Sequence, residues 1–186
     1  MTRHIYLFLG FGLLFFAASC ADDDDPIIDG GEELITSVTL TLTPNGPQET
    51  VVLGFSDPDG DGGNAPSFST TGTIVANANY QGQVSFGGPD GSIDAEIIDE
   101  GIDHQVFYQS SGGANLDFSY ATIGTDINGL PIGLSTILQT GAVSSGELTI
   151  ILRHEPNKVA AGIAIDNPAV AGGSTDVEVT FQVTVE

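Results

Sequence analysis

The chain of 186 residues carries 25 Asp and Glu against three Lys and Arg, a formal net charge of −22. Such a surface repels phosphate backbones and anionic head groups, which excludes nucleic acid and peripheral membrane binding and favours cations or a basic partner. With one cysteine there is no internal disulfide and no thiolate-rich metal site, so stability must come from an apolar core, which a domain of about 150 residues can supply.

Residues 1–19 have the composition of a secretory signal: Arg3 and His4 at the start, an apolar run over 5–16, then Ala17, Ala18 and Ser19 before Cys20. The run is too short to span a bilayer, which needs about 20 apolar residues. This segment resembles a bacterial lipobox, with Ala17 where leucine is usual. The resemblance implies cleavage before Cys20, lipidation of its thiol and anchoring to a membrane, stable because each buried methylene contributes about 0.8 kcal/mol. The aspartates Asp22 to Asp25 resemble the export signal of Bacteroidota surface lipoproteins, which implies an outer-membrane protein facing the cell exterior, a periplasm-facing anchor being the alternative. Residues 20–33, acidic and broken by Pro and Gly, read as a tether, and residues 34–186 as one domain.

Within that domain the apolar residues alternate with period 2, and no helical stripe lasts three turns. Val38, Leu40 and Leu42 predict a strand, joined through a turn at Pro44-Asn45-Gly46 to a second marked by Val51, Leu53 and Phe55. Further strands are predicted over 71–76, 80–86, 104–109, 116–121, 133–139 and 147–153, with Asn128-Gly129 as a type I′ hairpin turn. The clearest lies at the end, where Val177, Val179, Phe181, Val183 and Val185 share one face. One or two helical turns are expected only over 94–103. Short strands, 25 glycines and nine prolines predict an all-β fold, an antiparallel two-sheet sandwich of immunoglobulin-like architecture, with a small barrel as the alternative.

Two clusters of side chains point to cation chemistry. Asp57, Asp59 and Asp61 alternate on a glycine-containing loop after a strand, an arrangement that aims several hard oxygens at one point, as Ca²⁺ requires. Loop position 12, where an EF-hand has glutamate, is Phe68, so further ligands would have to come from Asn64, Asp94, Glu96, Asp99 or Glu100. The other reading of the loop is a solvated turn. His104 shares a strand face with Val106 and Tyr108, and His154 with Leu148, Ile150 and Leu152. Were those strand ends adjacent, His104, His154 and Glu155 would suit Zn²⁺ or Cu²⁺, and two imidazoles also suit a haem iron. Two unrelated histidines, one hydrogen-bonded at the core rim and the other exposed, are the alternative. Arg153 and Lys158, the only strong bases of the domain, sit within six residues and read either as a contact patch or as internal ion pairs.

The phrases at 104–109, 152–158 and 172–179 resemble those of small uncharacterised Bacteroidota surface lipoproteins, a likeness that spans most of the domain. With the location it implies, this brings in an outer-membrane receptor as a partner. The domain has no Walker A loop, no G-x-S-x-G elbow and no second histidine to make a zincin of His154-Glu155. The sequence therefore reads as a non-catalytic binding or accessory module, calcium-stabilised at its acidic loop, with transition-metal or haem capture as the rival function.

Overall fold

A computed structural model of the chain describes residues 34–60 and 63–186. The signal segment 1–19, the tether 20–33 with Cys20 and the four aspartates, and Asp61 lie outside the described residues. Ten strands form two antiparallel sheets: β1 (Ser37–Pro44), β2 (Val51–Ser56), β3 (Ser67–Thr71), β4 (Asn79–Gly88), β5 (Gly91–Ser92), β6 (His104–Ser111), β7 (Leu116–Tyr120), β8 (Ser135–Thr140), β9 (Ser144–His154) and β10 (Ser174–Val185). One sheet runs β3-β2-β1-β4-β8-β7 with β5 on β4, and the other runs β10-β9-β6. Among the described residues neither sheet closes on itself, so the fold is a sandwich and not the small barrel, and its strand order is not that of an immunoglobulin domain.

The period-2 pattern explains why these strands form and how they pack. Val38, Leu40 and Leu42 of β1, Tyr80, Val84 and Phe86 of β4 and Leu138 of β8 are buried from one sheet. Val106 and Tyr108, Leu148, Ile150 and Leu152, and Val179, Phe181, Val183 and Val185 meet them from the other. Burying one such aliphatic or aromatic side chain contributes roughly 1.5 to 3 kcal/mol. The small sheet is covered on its outer face as well, where Phe107 and Ile151 pack with Ala171 and Ile163. Hence residues 104–108 are buried without interruption, where simple alternation predicts every second one.

Three local expectations change. The strand expected over 71–76 does not form, the chain there making only an isolated bridge at Ile74; the strand nearby is β3, at Ser67–Thr71, a run of exposed Ser, Phe and Thr with no apolar period to reveal it. It stops at Gly72, whose φ is +76° and whose place a side chain cannot take, since a Cβ there would lie 2.6 Å from the Thr50 carbonyl oxygen. The helix expected over 94–103 is shorter, α1 (Asp94–Asp99). Asp94 ties it to β4 by accepting from the Ser85 hydroxyl (2.6 Å) and the Phe86 N–H (2.7 Å). The turn at Asn128-Gly129 is not type I′, because Gly129 alone of the pair has positive φ. Asp126 shapes it instead, its Oδ1 accepting from the N–H groups of Asn128 and Leu130, both at 2.9 Å.

A buried ion pair fastens this turn to the loop after β9. Lys158 Nζ donates to Asp126 Oδ2 (3.1 Å) and to the carbonyls of Pro131 (3.2 Å) and Gly101, the residue two beyond α1. Of the two readings of Lys158, the internal pair is the one observed, since both side chains are nearly inaccessible to solvent. Burial works to raise the Asp126 carboxyl, but the Leu130 N–H and the Lys158 ammonium outweigh it and hold the group below its ordinary 3.8. The folded chain thus protonates Asp126 less readily than the unfolded chain. Its contribution is fully present above the ordinary carboxylate value and is lost as pH falls through the lower folded one. Lys158→Met should cost roughly 3 to 5 kcal/mol in a urea melt at pH 7, because it leaves the carboxylate and two carbonyls buried without their cation. Asp126→Asn should flatten the loss of stability below pH about 4, and an acid limb unchanged from wild type would contradict the assignment.

Candidate metal centre

The ladder between β6 and β9 pairs His104 with His154, Gln105 with Arg153 and Val106 with Leu152. Residues directly opposite in an antiparallel pair project to the same face, so both imidazoles turn to the core side, beyond Val106 and Leu152. Their ring centroids are 4.9 Å apart with the planes at 88°. His104 is fully buried and its Nδ1 lies 3.2 Å from the carbonyl oxygen of Glu100, just past α1. A carbonyl only accepts, so this bond puts the proton on Nδ1 and turns Nε2 toward the space between the strands.

The carboxylate that meets them is Asp176. Counting back from Val185 in steps of two makes Val177 inward and Asp176 outward. The ladder between β10 and β9 breaks that count: Thr175 pairs with Arg153 and Val177 with Leu152, which leaves Asp176 as an extra residue in a β-bulge. A bulge re-aims the inserted side chain, and here the Asp176 side chain is wholly buried. The chain arrives through Gly172 and Gly173, both at positive φ, and a Cβ on Gly173 would fall 2.1 Å from the His154 carbonyl oxygen. Only glycine lets the backbone pass so close to the end of β9.

Asp176 Oδ2 lies 3.7 Å from His104 Nε2 and 3.9 Å from His154 Nδ1, and one ligand atom from each of the three residues falls within 4.8 Å of the others. Both separations exceed hydrogen-bond length. They are close to what a shared ion demands: ligands at zinc bond lengths of about 2.0 to 2.1 Å, tetrahedrally arranged, stand roughly 3.3 Å apart. Side-chain adjustments on the order of 1 Å would close the set. The donor types, two imidazole nitrogens and one carboxylate oxygen, suit Zn²⁺, Cu²⁺ or Fe²⁺ and not Ca²⁺, which takes six to eight oxygens. The His104 bond to Glu100 is the outer-shell contact that fixes tautomer and ring orientation in histidine metal sites. His154 is 18% exposed at its side chain and is the member of the group open to solvent.

Glu155, expected as the third ligand, is not in the group. Its φ of +51° swings the chain out of the strand, its N–H donates to the Asp103 carbonyl (2.7 Å), and its side chain is exposed. The alternation that begins at Val177 places Asp176 outward, and no pattern in Thr175-Asp176-Val177 marks a bulge. The double glycine just before it was the one visible sign of unusual backbone. Arg153, out of phase with His154, donates to the Thr175 hydroxyl (2.6 Å).

The acidic loop is organised differently. Gly60 takes φ +63° and its N–H donates to the Asp57 carbonyl (3.3 Å), while the Asp57 N–H donates to that of Thr36 (2.8 Å). Asp59 Oδ2 accepts from both the N–H and the side-chain amide of Asn64, each at 2.8 Å, and these two bonds hold its carboxyl below its ordinary value. Asn64, considered as a calcium ligand, is thus a donor to Asp59, and Asp94 is engaged with β4. Among the described residues, the group of three at β6, β9 and β10 is the one with metal-ligating spacing. No family model, curated protein or solved structure matches the chain.

Asn64→Ala removes the side-chain amide and keeps the backbone N–H, so the Asp59 carboxyl should titrate at higher pH than in wild type, part of the way toward its ordinary 3.8, when followed by side-chain carboxyl NMR. A titration identical to wild type would show that the Asn64 side chain does not hold the carboxylate.

Proposed function

We propose that this chain is a non-catalytic metal-binding module that holds one divalent transition ion, zinc or copper, between His104, His154 and Asp176. The observation that carries the reading is the convergence of two imidazole nitrogens and a buried carboxylate oxygen across three strands, brought about by a bulge that turns Asp176 inward. An apolar core end with no use for a carboxylate would keep alternation and leave Asp176 in solvent. Closure on the His104 and Asp176 side fits retention of an ion more than turnover of a substrate, which needs an open position. An ion would reach the group past His154.

The acidic surface raises the local concentration of cations around such a site. With the lipobox-like segment ending at Cys20 and the acidic run after it, we read the module as a lipid-anchored outer-membrane protein facing the exterior, capturing metal beside an outer-membrane receptor. The Ca²⁺ reading of Asp57, Asp59 and Asp61 is kept as a separate, oxygen-only site on the same protein.

The test is metal binding by the full chain. Zn²⁺ or Cu²⁺ should bind at one equivalent by titration calorimetry and raise the melting temperature, by about 2.7 kcal/mol of added stability at 100 times the dissociation constant. His104→Ala, His154→Ala and Asp176→Ala should each weaken binding by tenfold or more, while Glu155→Ala should leave it unchanged. Added acid should weaken it, since protons compete for the imidazole nitrogens. If neither metal shifts the melt, or if Glu155→Ala abolishes the effect, the assignment fails. The three side chains are then a polar cluster of structural use only.

A further inference from the structure

The four outer strands of the two sheets are not protected alike. On β6 the outward backbone is occupied, Val106 N–H donating to the Ile132 carbonyl (2.7 Å) and Tyr108 N–H to that of Ile165 (2.8 Å). The edges β3 and β7 are only five residues each. β10 runs for 12 residues, and beyond its ladder with β9 the only backbone bonds at its free side, among the described residues, lie at its very end. There Glu186 exchanges hydrogen bonds with Ala76 and Ile74, next to the bridge between Ile74 and Val185. From Val177 to Thr184 no other described residue pairs with the edge. Of the devices that blunt an edge this stretch has only the single charge of Glu178: it has no Lys and no Pro, and its one bulge lies before it, at Asp176.

Beside this edge the sandwich is unclosed. Phe68 of β3 is 54% exposed and sits edge-on to Phe181 of β10, with centroids 5.8 Å apart, and tilted against Phe55 at 5.4 Å. A groove of 480 Å³ follows, lined by Phe68, Ser69, Thr70, Thr180, Phe181 and Gln182. An unpaired main chain alongside an exposed aromatic is the combination that strand addition uses, the ladder supplying affinity and alternate side chains specificity.

We infer that the open edge of β10 binds an extended segment of a basic partner protein, which joins the small sheet as a fourth strand. The chemistry of that strand follows from β10. Residues over the inward side meet Val179, Phe181 and the Phe68 ring and must be apolar. Residues over the outward side lie near Glu178 and are favoured when they are Lys or Arg. A second copy of this chain fits poorly, because two molecules of net charge −22 repel and β10 offers no base to answer Glu178.

The probe is a synthetic octapeptide of alternating Lys and Val, capped at both ends, added to the full chain. It should bind and slow amide exchange at alternate residues between Val177 and Thr184 by tenfold or more. An octapeptide of alternating Glu and Val should bind at least tenfold more weakly. Two further Lys-Val peptides carry backbone N-methyl groups, one on the Lys positions and one on the Val positions. In a ladder, one set of amides faces β10 and the other faces solvent, so one peptide should lose binding and the other keep it. Equal binding of the two N-methylated peptides, no binding of the parent peptide at millimolar concentration, or protection elsewhere would overturn the inference. So would sedimentation of the chain alone as a dimer with the same β10 amides protected, which assigns the edge to a second copy.

Discussion

The register of β9 is the constraint on which the rest of the small sheet depends. β9 lies between β6 and β10, and its two ladders fix which residues face the large sheet. A slip of one residue in a two-residue repeat would exchange Leu148, Ile150 and Leu152 for Thr149, Ile151 and Arg153 at the core. It would also send His154 outward and put a guanidinium where Leu152 packs. The apolar penalty of that exchange is large, so the hydrophobic pattern of β9 locks the position of a histidine it does not include. His104 follows through the pairing with β6, and Asp176 through the bulge on β10. The polar group is therefore a by-product of apolar registration on two strands and a local departure from it on the third.

Buried charge in this acidic chain is handled in two ways. Lys158 and Asp126 pair, with two carbonyls and two backbone N–H groups completing the set, and join the turn before β8, the end of α1 and the loop after β9. Such a cluster adds less to stability than an apolar one of the same volume would, but removing one partner is costly, which makes it a device for fixing loops in place. Asp176 instead faces His104 Nε2 and His154 Nδ1, at 3.7 and 3.9 Å from one carboxylate oxygen. The same short helix serves both. The residues just past α1 present the Glu100 carbonyl to His104 and the Gly101 carbonyl to Lys158. Anchored by Asp94 to β4, α1 thereby holds the His104 ring from outside the sheet.

Much of the fold was legible in the chain because burial imposes a period that residues announce. β1, β2, β4, β6, β7, β9 and β10 each carry apolar residues at alternate positions, and the last strand could be phased to the single residue. β3 could not be found, since an exposed edge strand of Ser and Thr has no buried face to encode. The Asn-Gly pair marks the position of the turn at 126–129 but not its geometry, because Asp126 accepts from the backbone and so favours a conformation that the pair alone does not.

The sequence by itself determined that the apolar residues must be shared between two sheet faces, that the surface is strongly anionic, and that His104 and His154 lie on inward faces at the ends of their strands. These follow from local periodicity and composition, which act over a few residues. Only the tertiary structure decided that the two histidines sit opposite each other, that Asp176 and not Glu155 joins them, and that Lys158 is buried on Asp126. Pairing partners are chosen by the global burial of side chains far apart in the chain. A bulge arises where the ladder must absorb one residue more than its neighbour has, a mismatch that no single strand records.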